Sequence, residues 1–179
     1  KMATRARIGI QNEDGTITAA YQHWDGYPGG LGYNLVDYWT DANKVRDAIA
    51  LGNSSKWGFI IGNKIDFDDR QDPMHELQNV YYMRDRGEKD QGPITYYDEE
   101  EYLKDGFNSG EEYIYLLKNT GKKDFLGKNI GEWFYAASTY TDDGKVTPTQ
   151  FEPLEEVAIN DHIDMLKRHL EMMKNRKAA

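Results

Sequence analysis

Three short stretches carry the residue types that could do chemistry. His23, Trp24, Asp25 and Tyr27 lie in QHWDGYPGGLG, residues 22–32. If the preceding strand extends to Trp24, His23 and Asp25 project to one side and could form an oriented base. Gly29, Gly30 and Gly32 then lead into a helical pattern, where backbone N–H groups can approach an anion. Their spacing fits neither G-x-G-x-x-G nor the Walker pattern. In YYMRDRGE, residues 81–88, Arg84 and Arg86 share a face if the stretch is a strand. Two guanidiniums beside aromatic rings suit a phosphate and a stacked base. In DFDDRQD, residues 66–72, Asp66, Asp68 and Asp72 could gather a hard cation, with His75 nearby. The run lacks the glycine and the terminal glutamate of an EF-hand, so no metal site is assigned.

Each stretch also has a plainer reading. His23 could hold a turn by bonding Asp25. The glycines could serve a tight corner. Arg84 and Arg86 could pair with Asp66, Asp68 and Asp69. The four serines, Ser54, Ser55, Ser109 and Ser138, sit in no G-x-S-x-G elbow, and the four histidines are scattered. No reaction and no cofactor follow from these residues.

The elements that must position them are read from periodicity. Arg5–Gln11 alternates as a strand, NEDG (12–15) is a hairpin turn, and Ile17–Trp24 returns. Leu31, Leu35, Tyr38 and Trp39 share one helical face. A second helix is capped at Thr40 or Asp41 and stops at Gly52. Strands are expected at 56–62, 80–83, 95–97, 112–118 and 132–139, with a short helix following Asp98. Residues 141–150 read as a polar loop. Pro153 suits a helix start, and the last helix runs from about Leu154 to Lys174, within a C-terminal element spanning 154–176. Its seam, Ile159, Ile163, Leu166, Leu170 and Met173, covers only two heptads. Docking of this seam on the chain's own sheet is favoured over pairing with a second copy as a homo-oligomer. Together these elements predict an α+β fold: one domain over 1–179, a mostly antiparallel sheet, helices packed on one face and a long C-terminal helix.

Composition narrows the functional classes. A net charge of −9 excludes a general phosphate-tracking surface, and so general nucleic-acid binding. The absence of cysteine rules out disulfides and thiolate metal sites and fits a reducing cytoplasm. No apolar run is long enough to span a bilayer, and KMATRARIG lacks the core of a signal peptide. Lys1 reads as an added residue ahead of a natural start at Met2. Aromatics at 13%, including 13 tyrosines, supply buried area and ring faces for recognition.

TRARIGIQNEDGTITAAYQHWDGYPGGLG, then KVRDAIALG, then YMRDRGE, resembles a family of small uncharacterised proteins of tailed phages and prophages. The shared blocks are a T-R-x-x-I-x-I-x-N-E-D-G-T opening, an H-W-D-G-Y-P element, a D-F-D-D-R-like loop and R-D-R-G-E. They cover about half the chain, from Met2 to Glu88; nothing from Gln91 onward takes part. The resemblance implies a phage origin and a bacterial cytoplasm, and it brings no activity with it. The expected function is a non-enzymatic binding module that counters host defence or metabolism. Its pocket would join His23, Trp24, Asp25, Tyr27, Gly29 and Gly30 to Arg84 and Arg86 around a nucleotide-derived small molecule. The alternatives are a protein–protein inhibitor of a host factor and a nucleotide or phosphoester hydrolase with His23 as base.

Overall fold

The hairpin at the start of the chain seeds the sheet. In this computed structural model, which describes residues 3–179, β1 (Ala6–Gln11) and β2 (Ile17–Gln22) pair antiparallel around the NEDG turn. The expected start at Met2 lies outside the described residues. Asp14 closes the turn by accepting from the Thr16 N–H and hydroxyl. A π-helical turn, Pro28–Gly32, runs directly into α1 (Tyr33–Tyr38). There follow α2 (Ala42–Ala50), capped by the Asp41 side chain, and β3 (Ser54–Lys56). Next come α3 (Met74–Leu77), β4 (Val80–Tyr81) and α4 (Tyr82–Arg86). β5 (Ile94–Tyr96), α5 (Glu99–Asn108, capped by Asp98) and β6 (Tyr113–Lys118) complete the middle. The chain finishes with β7 (Glu132–Ala137), a hairpin of β8 (Thr139–Thr141) and β9 (Gly144–Val146), β10 (Glu152–Pro153) and α6 (Glu155–Ala178).

The fold is α+β. The main sheet runs β10-β7-β6-β1-β2-β3-β4, with β5 also on the outer edge of β2. Among the named strands of the described residues, β1–β6 and β2–β3 are parallel and the other pairings are antiparallel. The helices cover both faces of this sheet, not one. Ala6, Ile8, Ile10, Tyr115 and Leu117 face α1, α2 and the start of α6. Ile114, Leu116, Ile17 and Ala19 face Tyr102, Leu103 and Phe107 of α5. The reason lies in β6, whose continuous apolar centre is buried on both sides, as a central strand between two layers must be. On the α5 face, β1 also places Arg7 against Glu111 and Asp105, both at 2.6 Å. Burial pushes the Glu111 carboxyl up, while the hydrogen bond from Tyr96 holds Asp105 down.

Several expected boundaries move. β3 ends at Lys56, because Trp57 turns into the core, where it packs on Trp39 with ring centroids 4.6 Å apart. Residues 141–150 contain the β8–β9 hairpin instead of a plain loop. The seam on α6 does not dock: Ile159, Ile163, Leu166, Leu170 and Met173 are exposed. A neighbouring face packs instead, through Ala158, Asp161, His162 and Met165 against the π-helical turn and Tyr33. Those positions share a face at helical spacing. Among the described residues, no helix is long and apolar enough to cross a membrane.

Candidate functional site

β2 delivers residues 22–32 to the sheet's end. The His23 and Trp24 N–H groups continue the ladder, donating to the Ser54 and Ser55 carbonyls. Asp25 then adopts φ 56°, the left-handed region where a short polar side chain is tolerated, and the chain reverses. The Leu31 N–H donates to the Asp25 carbonyl, and the Gly30 N–H to that of Tyr27, closing the corner.

This corner is not an anion cradle. The Gly29 N–H donates to the Asp161 carboxylate on α6 at 2.6 Å. His162 Nδ1 donates to the Gly29 carbonyl at 3.0 Å, and its ring stacks flat on Tyr33 at 3.8 Å. A Cβ on Gly29 would lie 2.6 Å from Asp161 Oδ2 and 2.8 Å from Met165 Sδ. Gly29 is therefore a close-approach position for α6, and the anion at this N–H belongs to the chain itself. A Cβ on Gly30 would meet the Asp25 carbonyl at 2.7 Å, so this glycine serves the corner as well.

His23 and Asp25 do not form an oriented base. The chain reversal at Asp25 sends them to different cavities, and His23 Nδ1 instead meets the Tyr21 hydroxyl at 2.6 Å. Burial pushes the Tyr21 phenol up to about 12, so Tyr21 is the donor. Partial burial and Arg5 push the His23 imidazole below its ordinary value, so it stays neutral and accepts.

Arg84 and Arg86 also separate. Residues 82–86 are helical, and two positions on a helix diverge by about 200°. Arg84 turns inward. Its guanidinium donates to the carbonyls of Ile61, Gly62 and Asn79 and to the buried Asp85 carboxylate. Arg86 turns outward, 4.4 Å above the Phe67 ring and 4.8 Å from that of Tyr82, paired with Glu88 at 2.6 Å.

Two adjoining cavities result. The larger, about 740 Å³, takes in Trp24, Asp25, Tyr27, Gly29 and Gly30, with Lys56, Arg70 and Glu76 opposite. The smaller, about 470 Å³, brings His23 and Arg86 together with Tyr21, Tyr82 and Glu88. Trp24, Ser55, Phe67 and Arg70 line both. Phe67, only 5% exposed, lies beneath both guanidiniums, Arg86 at 4.4 Å and Arg70 at 5.6 Å. Arg70 makes no ion pair among the described residues. Lys56 is half-buried, which depresses its ammonium pKa, and donates to the His75 carbonyl. Three cations and three carboxylates thus line the two cavities, a local balance set in a chain of net charge −9.

Sequence reasoning missed Lys56, Phe67, Arg70 and Tyr82. A signal existed for three of them: Phe67 and Arg70 lie inside DFDDRQD, which draws attention through its acids, and Tyr82 lies inside YYMRDRGE. The acids of DFDDRQD have local duties. Asp66 accepts from the Asp68 N–H, Asp69 from that of Gln71 and Asp72 from that of Met74. Among the described residues, no group of three or more acids and histidines is arranged to hold a metal ion. Comparisons with protein-family models, with curated proteins and with solved structures returned no match.

Proposed function

We propose that this chain is a binding module for a nucleotide-derived small molecule, acting as a phage accessory protein in the bacterial cytoplasm against host defence or host metabolism. The observation that carries this reading is the Arg70–Phe67–Arg86 arrangement at the junction of the two cavities. Arg70 and Arg86 offer N–H groups to phosphate oxygens. Trp24 and Tyr82 offer ring faces for a base, and Asp25 and Glu76 offer acceptors for its amino or sugar hydroxyl donors. Arg84, Gly29 and Gly30 leave the ligand-contacting set, since their polar groups serve the protein itself. In the hydrolase alternative His23 is the base and Asp25, or Asp68 and Asp69, orients it or binds a metal; the His23 Nδ1 is already bonded to the Tyr21 hydroxyl, and neither Asp68 nor Asp69 lines either cavity. Binding without turnover is therefore the favoured reading.

The test is calorimetry with mono-, di- and cyclic nucleotides on the wild-type chain, followed by recovery of the ligand. Micromolar or tighter binding of one class, with the ligand recovered intact, supports the proposal. Silence across the panel overturns it. Conversion of the ligand replaces it with the hydrolase reading.

A further inference from the structure

We infer that α6 pairs antiparallel with the α6 of a second copy of this chain, through the stripe Ile159, Ile163, Leu166, Leu170 and Met173. Three observations support it, none of them involving the cavities.

The first is exposure. These five side chains are 37%, 41%, 56%, 51% and 43% exposed, at alternating four- and three-residue spacing. This is the knob spacing of a two-helix seam, and it lies beside the face that docks on the π-helical turn. Contiguous apolar surface of this kind marks an interaction site more often than a solvated face.

The second is lack of support. Every residue from Leu166 to Ala178 is exposed, so about 20 Å of helix stands away from the domain. A helix of that length is marginal in water unless a partner buries its apolar side.

The third observation identifies the partner. From Glu155 to Met165 the helix carries Glu155, Glu156, Asp161 and Asp164 and no lysine or arginine, net −4. From Leu166 to Ala178 it carries Lys167, Arg168, Lys174, Arg176 and Lys177 against Glu171, net +4. The change of sign falls at Leu166, which is also the centre of the stripe. A two-fold axis there sets each acidic half against the basic half of the other helix. It brings Glu156 level with Arg176 and Ile159 level with Met173. A parallel pair would stack like charge on like. The contact is isologous and closes as a dimer, as a two-fold interface must. It also lays the standing half of each helix along the docked half of the other, so each domain supports its neighbour's helix.

Light scattering at about 100 µM should give twice the chain mass of 20.7 kDa, and Leu166→Glu should reduce it to one chain. Because the stripe is exposed, that variant keeps its fold, which circular dichroism verifies. Glu156→Lys alone and Arg176→Glu alone should each weaken the dimer at least tenfold, and the double swap should restore it. The chain has no cysteine, so single substitutions report direction cleanly. Under mild oxidation Leu166→Cys should cross-link across the axis, and Met173→Cys should not. A mass of one chain at this concentration overturns the inference, as does failure of the double swap to recover. Cross-linking of Met173→Cys as readily as Leu166→Cys means a parallel pair and overturns it too.

Discussion

Gly29 and Asp161, 132 residues apart, are joined by a 2.6 Å hydrogen bond from the glycine N–H to the carboxylate. The bond fastens the long C-terminal helix to the corner that turns β2 into α1. Because a Cβ on Gly29 would meet both Asp161 and Met165, Gly29→Ala should push α6 away and cost about 2 kcal/mol in denaturant unfolding. Asp161→Asn keeps an acceptor but loses the charge and should cost about 1 kcal/mol. The two losses should combine sub-additively in a double-mutant cycle, because both act on one contact.

The two arginines of the RDRGE block should behave oppositely. Arg84→Met strips a donor fork from three carbonyls and leaves the buried Asp85 carboxylate short of its partner. A stability loss of about 3 kcal/mol is expected. Arg86→Ala removes a half-exposed pair with Glu88 and two ring contacts, and should cost about 1 kcal/mol or less. Denaturant melts of the two variants separate the structural arginine from the cleft arginine.

That contrast shows where sequence was informative and where it was not. The β1–β2 hairpin is readable because Asp14 and Gly15 dictate a turn between two alternating runs. The helix capped by Asp41 is readable for the same local reason. YYMRDRGE is not. Its tyrosines favour a strand, but only Val80 and Tyr81 pair; Asp85 then accepts the Tyr81 N–H, and Gly87, at φ 73°, ends a one-turn helix. This is a tertiary arrangement, and it separates the two arginines, Arg84 inward and Arg86 outward. Likewise the α6 seam is visible as periodicity, but periodicity does not say whether a helix docks by its most apolar face. Here Gly29 selects a neighbouring face, since only there can backbone approach so closely. The cleft residues Phe67 and Arg70 were hidden among acids whose work is to close turns.

His23 gives a dependence on pH. Its folded-state pKa lies below its ordinary value, so protonation opposes the folded state. Its contribution to stability should be complete above about pH 6.5 and decline as the pH falls through the folded value. NMR titration of the imidazole checks the position, and His23→Gln should remove that part of the pH profile. Anion binding should act in the opposite sense. A phosphate in the smaller cavity favours the imidazolium, so it raises the His23 pKa, and affinity should increase as the pH falls below about 6.5.

Titration calorimetry of one nucleotide ligand against wild type, Arg70→Ala, Arg86→Ala and Lys104→Ala decides the cleft assignment. Lys104 lies on α5, on the far face of the sheet, and lines neither cavity. Loss of one charge-assisted contact should weaken binding by about tenfold or more in each of the two cleft variants. Lys104→Ala should match wild type. Equal affinity in all four proteins would contradict the proposed phosphate-binding role of Arg70 and Arg86.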